Sequence, residues 1–272
     1  MRLLGELRPQ AVLGAGGYVA GPTGLAAALR RVPLVLMEAD SHPGVTTRLL
    51  APLAHRVCLA FPVAGRDGNR YLVTGRPVPE PAHDRAAARA DFDLGPEDMC
   101  VLVFGGSQGA RSINLAAVEA FAHAGFRVLH AAGERDLAEL RSPGPHYDLR
   151  GYVPQFGRAL LASDLVVARA GGSIFEIAAH GRPAVLIPYP YATADHQAAN
   201  AAFMEKAGAA IVIPDRELSA SRLAHEVGQL LADPSRLATM ARASETLARP
   251  DAARVVARQI LAAAGVGEGV TR

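Results

Sequence analysis

The sequence contains no tryptophan, two cysteines and a single lysine, Lys206, among 28 basic residues; aromatic side chains occupy 5% of its 272 positions. Cys58 and Cys100 both lie in apolar runs, Arg56–Phe61 and Asp98–Phe104, and read as small buried hydrophobes. Two cysteines so placed exclude a disulfide framework and a zinc-ligand spacing, and point to a reducing compartment. An excess of one charge is also missing. The 28 basic residues face 26 acidic ones, for a net charge of +2, and no basic run appears, which argues against a dedicated nucleic-acid binder. Long hydrophobic runs are absent as well. The first ten residues have no continuous apolar core of the kind a signal peptide needs. The uncharged stretch Ala11–Leu29 is broken by Gly14, Gly16, Gly17, Gly21, Pro22 and Gly24, so it reads as strand, loop and helix start rather than a membrane span.

What is present is a large apolar fraction, half of all residues, with a fifth charged: enough to bury a sizeable core and to exclude a disordered chain. Short β-rich runs occur at Ala11–Leu13, Pro33–Met37, Arg56–Phe61, Tyr71–Val73, Cys100–Phe104, Arg127–Ala131, Leu165–Ala168, Ala184–Ile187 and Ala210–Ile213. Helical spacing lies between them, as in Ile113–His123 and Ile174–His180, and three helices are expected at Ser219–Ala232, Pro234–Leu247 and Asp251–Ala263. Continuous apolar strands alternating with helices predict an α/β, doubly wound architecture with parallel sheets covered on both faces. The Pro-, Arg- and Asp-rich stretch Gly75–Asp98 shows no strand pattern. We therefore expect a first domain over 1–75, a linker over 76–98, a second domain over 99–250, and a C-terminal helix over 251–264 that packs back on the first domain. The first domain holds only three or four strands and starts almost directly on one, so part of that domain is expected to lie outside the chain.

Four strand ends carry glycine or polar loops. Phe104-Gly105-Gly106-Ser107-Gln108-Gly109-Ala110-Arg111 runs from a buried strand into a helix start. Glycines there let the backbone approach an anion, the helix N-terminus offers free N–H groups, and Ser107 adds a hydroxyl. It is neither a Walker loop nor GxGxxG, and a plain tight turn explains it as well. Ala168-Arg169-Ala170-Gly171-Gly172-Ser173-Ile174-Phe175-Glu176 repeats the arrangement, with Glu176 as a helix-dipole partner or a ribose ligand. Asp195, His196 and Gln197 follow the strand Ala184–Ile187 and suit either sugar hydroxyls or an N-cap. The fourth loop is Gly14-Ala15-Gly16-Gly17-Tyr18. Together they read as a phosphate- and sugar-binding cleft.

GAGGYVAGP, GGSQGAR, the RAGG…E block and the ADHQAAN…EKAGAA block resemble the MurG family, the UDP-N-acetylglucosamine:lipid-linked N-acetylmuramoyl-pentapeptide transferases of peptidoglycan synthesis. The resemblance runs from about Pro9 to Ala263. It implies a GT-B fold of two Rossmann-like domains, the first truncated at its N-terminus, with the active site between them. It implies inverting transfer of N-acetylglucosamine without a cofactor or tightly held metal, and a peripheral enzyme on the cytoplasmic face of the cell membrane. Its partners would be UDP-N-acetylglucosamine, the lipid-linked acceptor and the inner-leaflet surface, with no nucleic acid. The implied donor residues are Ser107 at the diphosphate, the Val153 backbone at uracil, the loop Ala170 to Ile174 (Gly171, Gly172 and Ser173 included) at phosphate and ribose, Glu176 at the ribose diol, and His196 and Gln197 at the sugar. Gly14, Gly16, Gly17, Tyr18 and Asp40 would face the acceptor.

The sequence departs from the family at Met37-Glu38-Ala39-Asp40, where the family has HEQN, and at Gly75-Arg76-Pro77-Val78-Pro79, where it has GNPVR. The RAGG block is one residue shorter than the family form. A GGTGGH-like loop, proposed to serve the acceptor diphosphate and the catalytic base, is not found, and no catalytic base is assigned within the chain. Three alternatives stand beside this reading: a UDP-sugar-binding subunit that works with a separate acceptor-domain partner, another GT-B glycolipid transferase, and a UDP-sugar epimerase for which Glu38 and Asp40 are the placed carboxylates.

Overall fold

The computed structural model describes residues 1–192 and 195–266. The chain divides into two compact units, Met1–Val78 with Arg249 onward, and Pro79–Ala248.

The first unit begins with helix α1 (Arg2–Leu7), then β1 (Val12–Gly14), α2 (Ala20–Leu29), β2 (Leu34–Glu38), α3 (Val45–Leu50), β3 (Arg56–Leu59) and β4 (Tyr71–Val73). Its four strands are parallel, in the order β1-β2-β3-β4. Alternation along the strands sends Leu34, Leu36, Val57 and Leu59 to one face, where they pack with Leu50 and Ala51. Val35 and Cys58 point to the other face. Burial pushes the Cys58 thiol up to about 11, so it stays protonated and behaves as an apolar side chain.

The second unit runs through α4 (Arg85–Ala90), β5 (Cys100–Phe104), α5 (Arg111–Ala120), β6 (Arg127–Ala131), α6 (Glu134–Leu137), β7 (Tyr147–Arg150), α7 (Phe156–Ala162) and β8 (Leu165–Ala168). It continues with α8 (Ile174–Ala179), β9 (Ala184–Leu186), α9 (His196–Lys206), β10 (Ala210–Val212), α10 (Ala220–Leu231) and α11 (Pro234–Leu247). Its six parallel strands are ordered β10-β9-β8-β5-β6-β7. That is the strand order of a doubly wound dinucleotide-binding fold, with the topological switch point between β5 and β8. Every residue of β5 is buried, as a sheet covered on both faces requires. Val101 and Val103 pack with Ile113, Leu223 and Val227 on one face, and Phe104 meets the Phe156 ring edge-on on the other, at 4.7 Å between centroids. After α11 the chain returns to the first unit as α12 (Ala252–Ala263), whose Val256 covers Val35 and Cys58.

Three expectations need correction. The segment expected as a linker over 76–98 is not one along most of its length: from Pro79 onward it is part of the second unit. Asp84 caps α4 by accepting the Ala87 N–H. The Arg85 guanidinium donates to the carbonyls of Leu161 and Ser163 and to Asp164, and the buried Arg89 donates to Ala162 O at 2.9 Å. Those carbonyls sit at the C-terminal end of α7, where orphan acceptors and a negative dipole end favour cations. The second correction is β7, a tenth strand not among those expected: its alternation spans only four residues, with Tyr147 and Leu149 packed inward and Asp148 and Arg150 paired on the other face. The third is α1, which precedes β1, so the chain does not open on a strand.

Candidate active site

In open α/β sheets ligands bind outside the carboxyl ends of the strands at the switch point. In the second unit those ends carry the loops between β5 and α5 and between β8 and α8. The first is shaped by backbone contact. Gly106 and Gly109 hold positive φ (+95° and +76°), and the Gly109 N–H closes a turn onto Gly106 O at 3.0 Å. A Cβ on Gly109 would stand 2.0 Å from Ala132 O, so only glycine lets this loop lie on the β6–α6 turn. Ser107 and Gln108 are exposed at the tip. Helix α5 has Ala110 at its N-cap and no side-chain cap, so its first N–H groups remain open to an anion.

The second loop ends at Ser173, which does not cap α8 with its side chain. Glu176 lies in the first turn of that helix and is half-buried, and Gly171, Gly172 and Ser173 are partly exposed while Ile174 is buried. His180, at the C-cap, donates from Nδ1 to Glu176 O at 2.8 Å and accepts the Ala82 N–H at Nε2. Burial lowers its pKa, in keeping with the neutral tautomer those two bonds require.

Beyond β9, Gln197 Oε1 accepts the Tyr189 N–H at 2.9 Å, and its amide nitrogen lies beside Gly171. His196 opens α9 and is half-buried. Residue 194, the first of the ADHQ block, and residue 193 before it lie outside the described residues. Asn200, one turn along, is buried and donates to Ala170 O at 3.0 Å, which joins α9 to the β8–α8 loop. Val153 is buried between β7 and α7 on the other side of the switch point. The expected donor residues Ser107, Gly171 to Ile174, Glu176, His196 and Gln197 thus belong to loops or first helical turns that follow the carboxyl ends of β5, β8 and β9. Val153 follows β7, at the sheet edge.

Sequence reasoning missed Arg169. Its side chain is 10% exposed and joins its own strand end, after β8, to segments that follow β5, β9 and β10. Nη1 bonds Asp215 Oδ1 at 2.6 Å and the carbonyls of Ile187 and Pro188 at 3.2 Å, Nη2 bonds Ser112 Oγ at 2.8 Å, and the guanidinium lies 5.5 Å from the Tyr189 ring centroid. Its partners are 18 to 57 residues away in sequence, so no local pattern could reveal it.

In the first unit, Gly14 ends β1 against the Leu36 side chain, and Gly16 and Gly17 hold φ of +89° and +73°. Tyr18 is 80% exposed. At the end of β2, Glu38 is buried, and its two carboxylate oxygens accept the N–H groups of Asp40 and Gly44. Glu38 is therefore a loop clamp rather than an open base, which removes one of the two carboxylates an epimerase reading requires. Asp40 is half-exposed in the same loop.

Comparison with known proteins supplies the lineage. Residues 100–256 match the family model described as "Glycosyltransferase family 28 C-terminal domain", and residues 1–59 match the "Glycosyltransferase family 28 N-terminal domain". A UDP-N-acetylglucosamine--N-acetylmuramyl-(pentapeptide) pyrophosphoryl-undecaprenol N-acetylglucosamine transferase of Moorella thermoacetica is 43% identical, over 94% of this chain and 74% of its own length. One of the same description from Rubrobacter xylanophilus is 40% identical, over 98% of this chain and 81% of its own. The crystal structure of Acinetobacter baumannii MurG superposes with a TM-score of 0.76 at 28% identity, covering 96% of this chain and 76% of that one. On these grounds the chain belongs to glycosyltransferase family 28, within its MurG branch.

Proposed function

We infer that this chain transfers N-acetylglucosamine from UDP-N-acetylglucosamine to a lipid-linked N-acetylmuramoyl-pentapeptide. The observation that carries the reading is 43% identity, across 94% of the chain, to a transferase of that description. The loops of the second unit give it a chemistry. Open N–H groups at the start of α5, with the Ser107 hydroxyl, suit the donor diphosphate. Glu176 suits the ribose diol, the Val153 backbone suits the uracil edge, the Gly171 to Ile174 loop suits the phosphate and ribose, and His196 and Gln197 suit the sugar hydroxyls. The acceptor 4-hydroxyl loses its proton to a base and attacks the anomeric carbon. The bond from that carbon to the diphosphate oxygen breaks, UDP leaves, and the configuration inverts. Negative charge grows on the leaving diphosphate, where preorganised N–H donors stabilise it most.

For the first unit we propose acceptor contact through Gly14, Gly16, Gly17, Tyr18 and Asp40, and docking on the inner-leaflet membrane surface. No helix among the described residues is long and apolar enough to cross a membrane. However, α1, α2 and α3 expose Leu3, Leu7, Leu25, Leu29 and Leu49, with Arg2, Arg8, Arg30, Arg31 and Arg48 exposed on or beside them. Apolar side chains with a basic fringe suit an anionic bilayer surface, where a lipid-linked acceptor resides.

The test is UDP release with radiolabelled UDP-N-acetylglucosamine, in the presence and absence of the lipid-linked acceptor. Acceptor-dependent UDP release with label in the lipid fraction is expected. Label that stays in the nucleotide sugar and epimerises would overturn the transferase reading in favour of an epimerase.

A further inference from the structure

We propose that Arg169 is a positioning residue that sets the diphosphate side and the sugar side of the donor site with one guanidinium. The inference rests on the donor reading above and goes beyond it, because Arg169 is not among the residues expected to touch the donor. Three observations carry it.

First, the Arg169 charge is already matched. Asp215 lies 2.6 Å away, and Ser112 Oγ donates to the same Asp215 oxygen at 2.8 Å. A guanidinium so neutralised acts through its fork of donors rather than as a free phosphate-binding cation. Second, Ser112 is the second residue of α5, so the Nη2 bond to its hydroxyl fixes the helix turn whose open N–H groups follow the Gly105–Gly109 loop. Third, the same guanidinium bonds Ile187 O and Pro188 O and lies against the Tyr189 ring, while the Tyr189 N–H is held by Gln197. Displacement of Arg169 would therefore shift the helix start behind Ser107 and the loop ahead of Gln197 together. Lysine does not replace it, since its three donors sit on one nitrogen, whereas Arg169 meets Asp215 and the two carbonyls from Nη1 and Ser112 from Nη2.

The experiment is calorimetry on the full chain with UDP and with UDP-N-acetylglucosamine, for the unmodified protein and the variants Ser112→Ala, Ser112→Thr and Arg169→Lys. Loss of one hydrogen bond of this kind corresponds to about a three- to tenfold weaker affinity. Ser112→Ala is expected to weaken both ligands by about that factor and to leave their ratio unchanged, and Ser112→Thr, which restores a hydroxyl, to recover it. Arg169→Lys is expected to weaken UDP and, in addition, to reduce the affinity that the sugar adds over UDP. If the variants melt earlier but bind both ligands as the unmodified chain does, Arg169 only stabilises the fold and the proposal is overturned. Absence of UDP binding by the unmodified chain would overturn the donor reading itself, and this inference with it.

Discussion

The two units solve different problems with the same βα alphabet. In the second, buried polar side chains pin the loops: Arg169 ties four strand ends, Asn200 holds Ala170 O, and His180 joins α8 to Ala82. In the first, Glu38 and Thr74 make such ties at the ends of β2 and β4, while the helices and the β1–α2 loop are rich in exposed apolar groups, with Val19 at 89%, Tyr18 at 80% and Leu49 at 70% exposure. The contrast fits the proposed division of labour: the Arg169 network lies in the unit proposed to align a small charged donor, and the exposed apolar surface in the unit proposed to meet an amphiphilic acceptor. Each half therefore fails differently when altered.

The largest difference should appear on truncation of apolar side chains. Leu102 is fully buried in β5, and Leu102→Ala should cost about 2–5 kcal/mol in urea unfolding. Leu29 is 67% exposed, and Leu29→Ser should change stability by no more than about 0.5 kcal/mol while reducing sedimentation with anionic vesicles. A Leu29 variant that unfolds easily, or that binds vesicles unchanged, would erase the contrast.

Acid should separate the halves next. His130, fully buried in β6, bonds the Tyr147 hydroxyl at 2.7 Å and Asn114 Oδ1 at 3.0 Å, and Asn114 in turn donates to Asp136 and to Ala132 O. Burial pushes the His130 pKa down to about 4 from the ordinary 6.5. The unfolded chain thus takes up this proton at higher pH than the folded one. Stability from the neutral imidazole is full above pH 6.5 and is lost as pH falls toward 4, by about 3 kcal/mol in all. His130→Gln should be less stable at neutral pH but lose less between pH 6.5 and 4. An identical slope in both proteins would assign the acid sensitivity to other groups.

How far the sequence reached follows the same divide between local and distant causes. Nine strands were legible because each is a short apolar run bounded by turn residues, and Cys100–Phe104 needed no other signal. Ser107, Glu176 and Gln197 were legible because glycines or first-turn polar groups mark strand ends. The edge strand at Tyr147 was not, since its alternation of Tyr147 and Leu149 with Asp148 and Arg150 lasts only four residues. Helix α4 was not, because Arg85 and Arg89 look like linker charges until the carbonyls they neutralise are seen 73 to 78 residues away. Arg169 was missed because its partners lie on other strand ends, and Glu38 misleads because a strand-end carboxylate reads as a base, while here it holds the N–H groups of Asp40 and Gly44.

The proposed site can be probed at Glu176, where a charged hydrogen bond to a ribose hydroxyl would be worth about 1.5–3 kcal/mol. Glu176→Ala should weaken UDP by about one to two decades in calorimetry. The carboxylate also sits at a helix start, where its interaction with the dipole stabilises α8 by about 0.3–1 kcal/mol. A small stability loss with an unchanged UDP dissociation constant would reduce Glu176 to a helix-start charge and remove the donor role proposed for that turn.

The smallest effect, and the sharpest division of roles, lies at Gln197. Its Oε1 accepts the Tyr189 N–H, while its amide nitrogen stands beside Gly171. One end anchors the loop and the other is available to a sugar hydroxyl. Gln197→Ala removes both functions. Gln197→Glu keeps an oxygen for Tyr189 and removes the amide donor. If the amide reads the sugar, both variants lower the affinity for UDP-N-acetylglucosamine by about three- to tenfold, the effect of one hydrogen bond. In that case the glutamate variant leaves UDP affinity as it was. The alanine variant alone should add a modest loss for UDP, because Tyr189 loses its acceptor next to the Arg169 guanidinium. Retention of sugar affinity by Gln197→Glu, with loss only in Gln197→Ala, would make Gln197 a loop anchor and leave the sugar to other groups at the carboxyl end of β9.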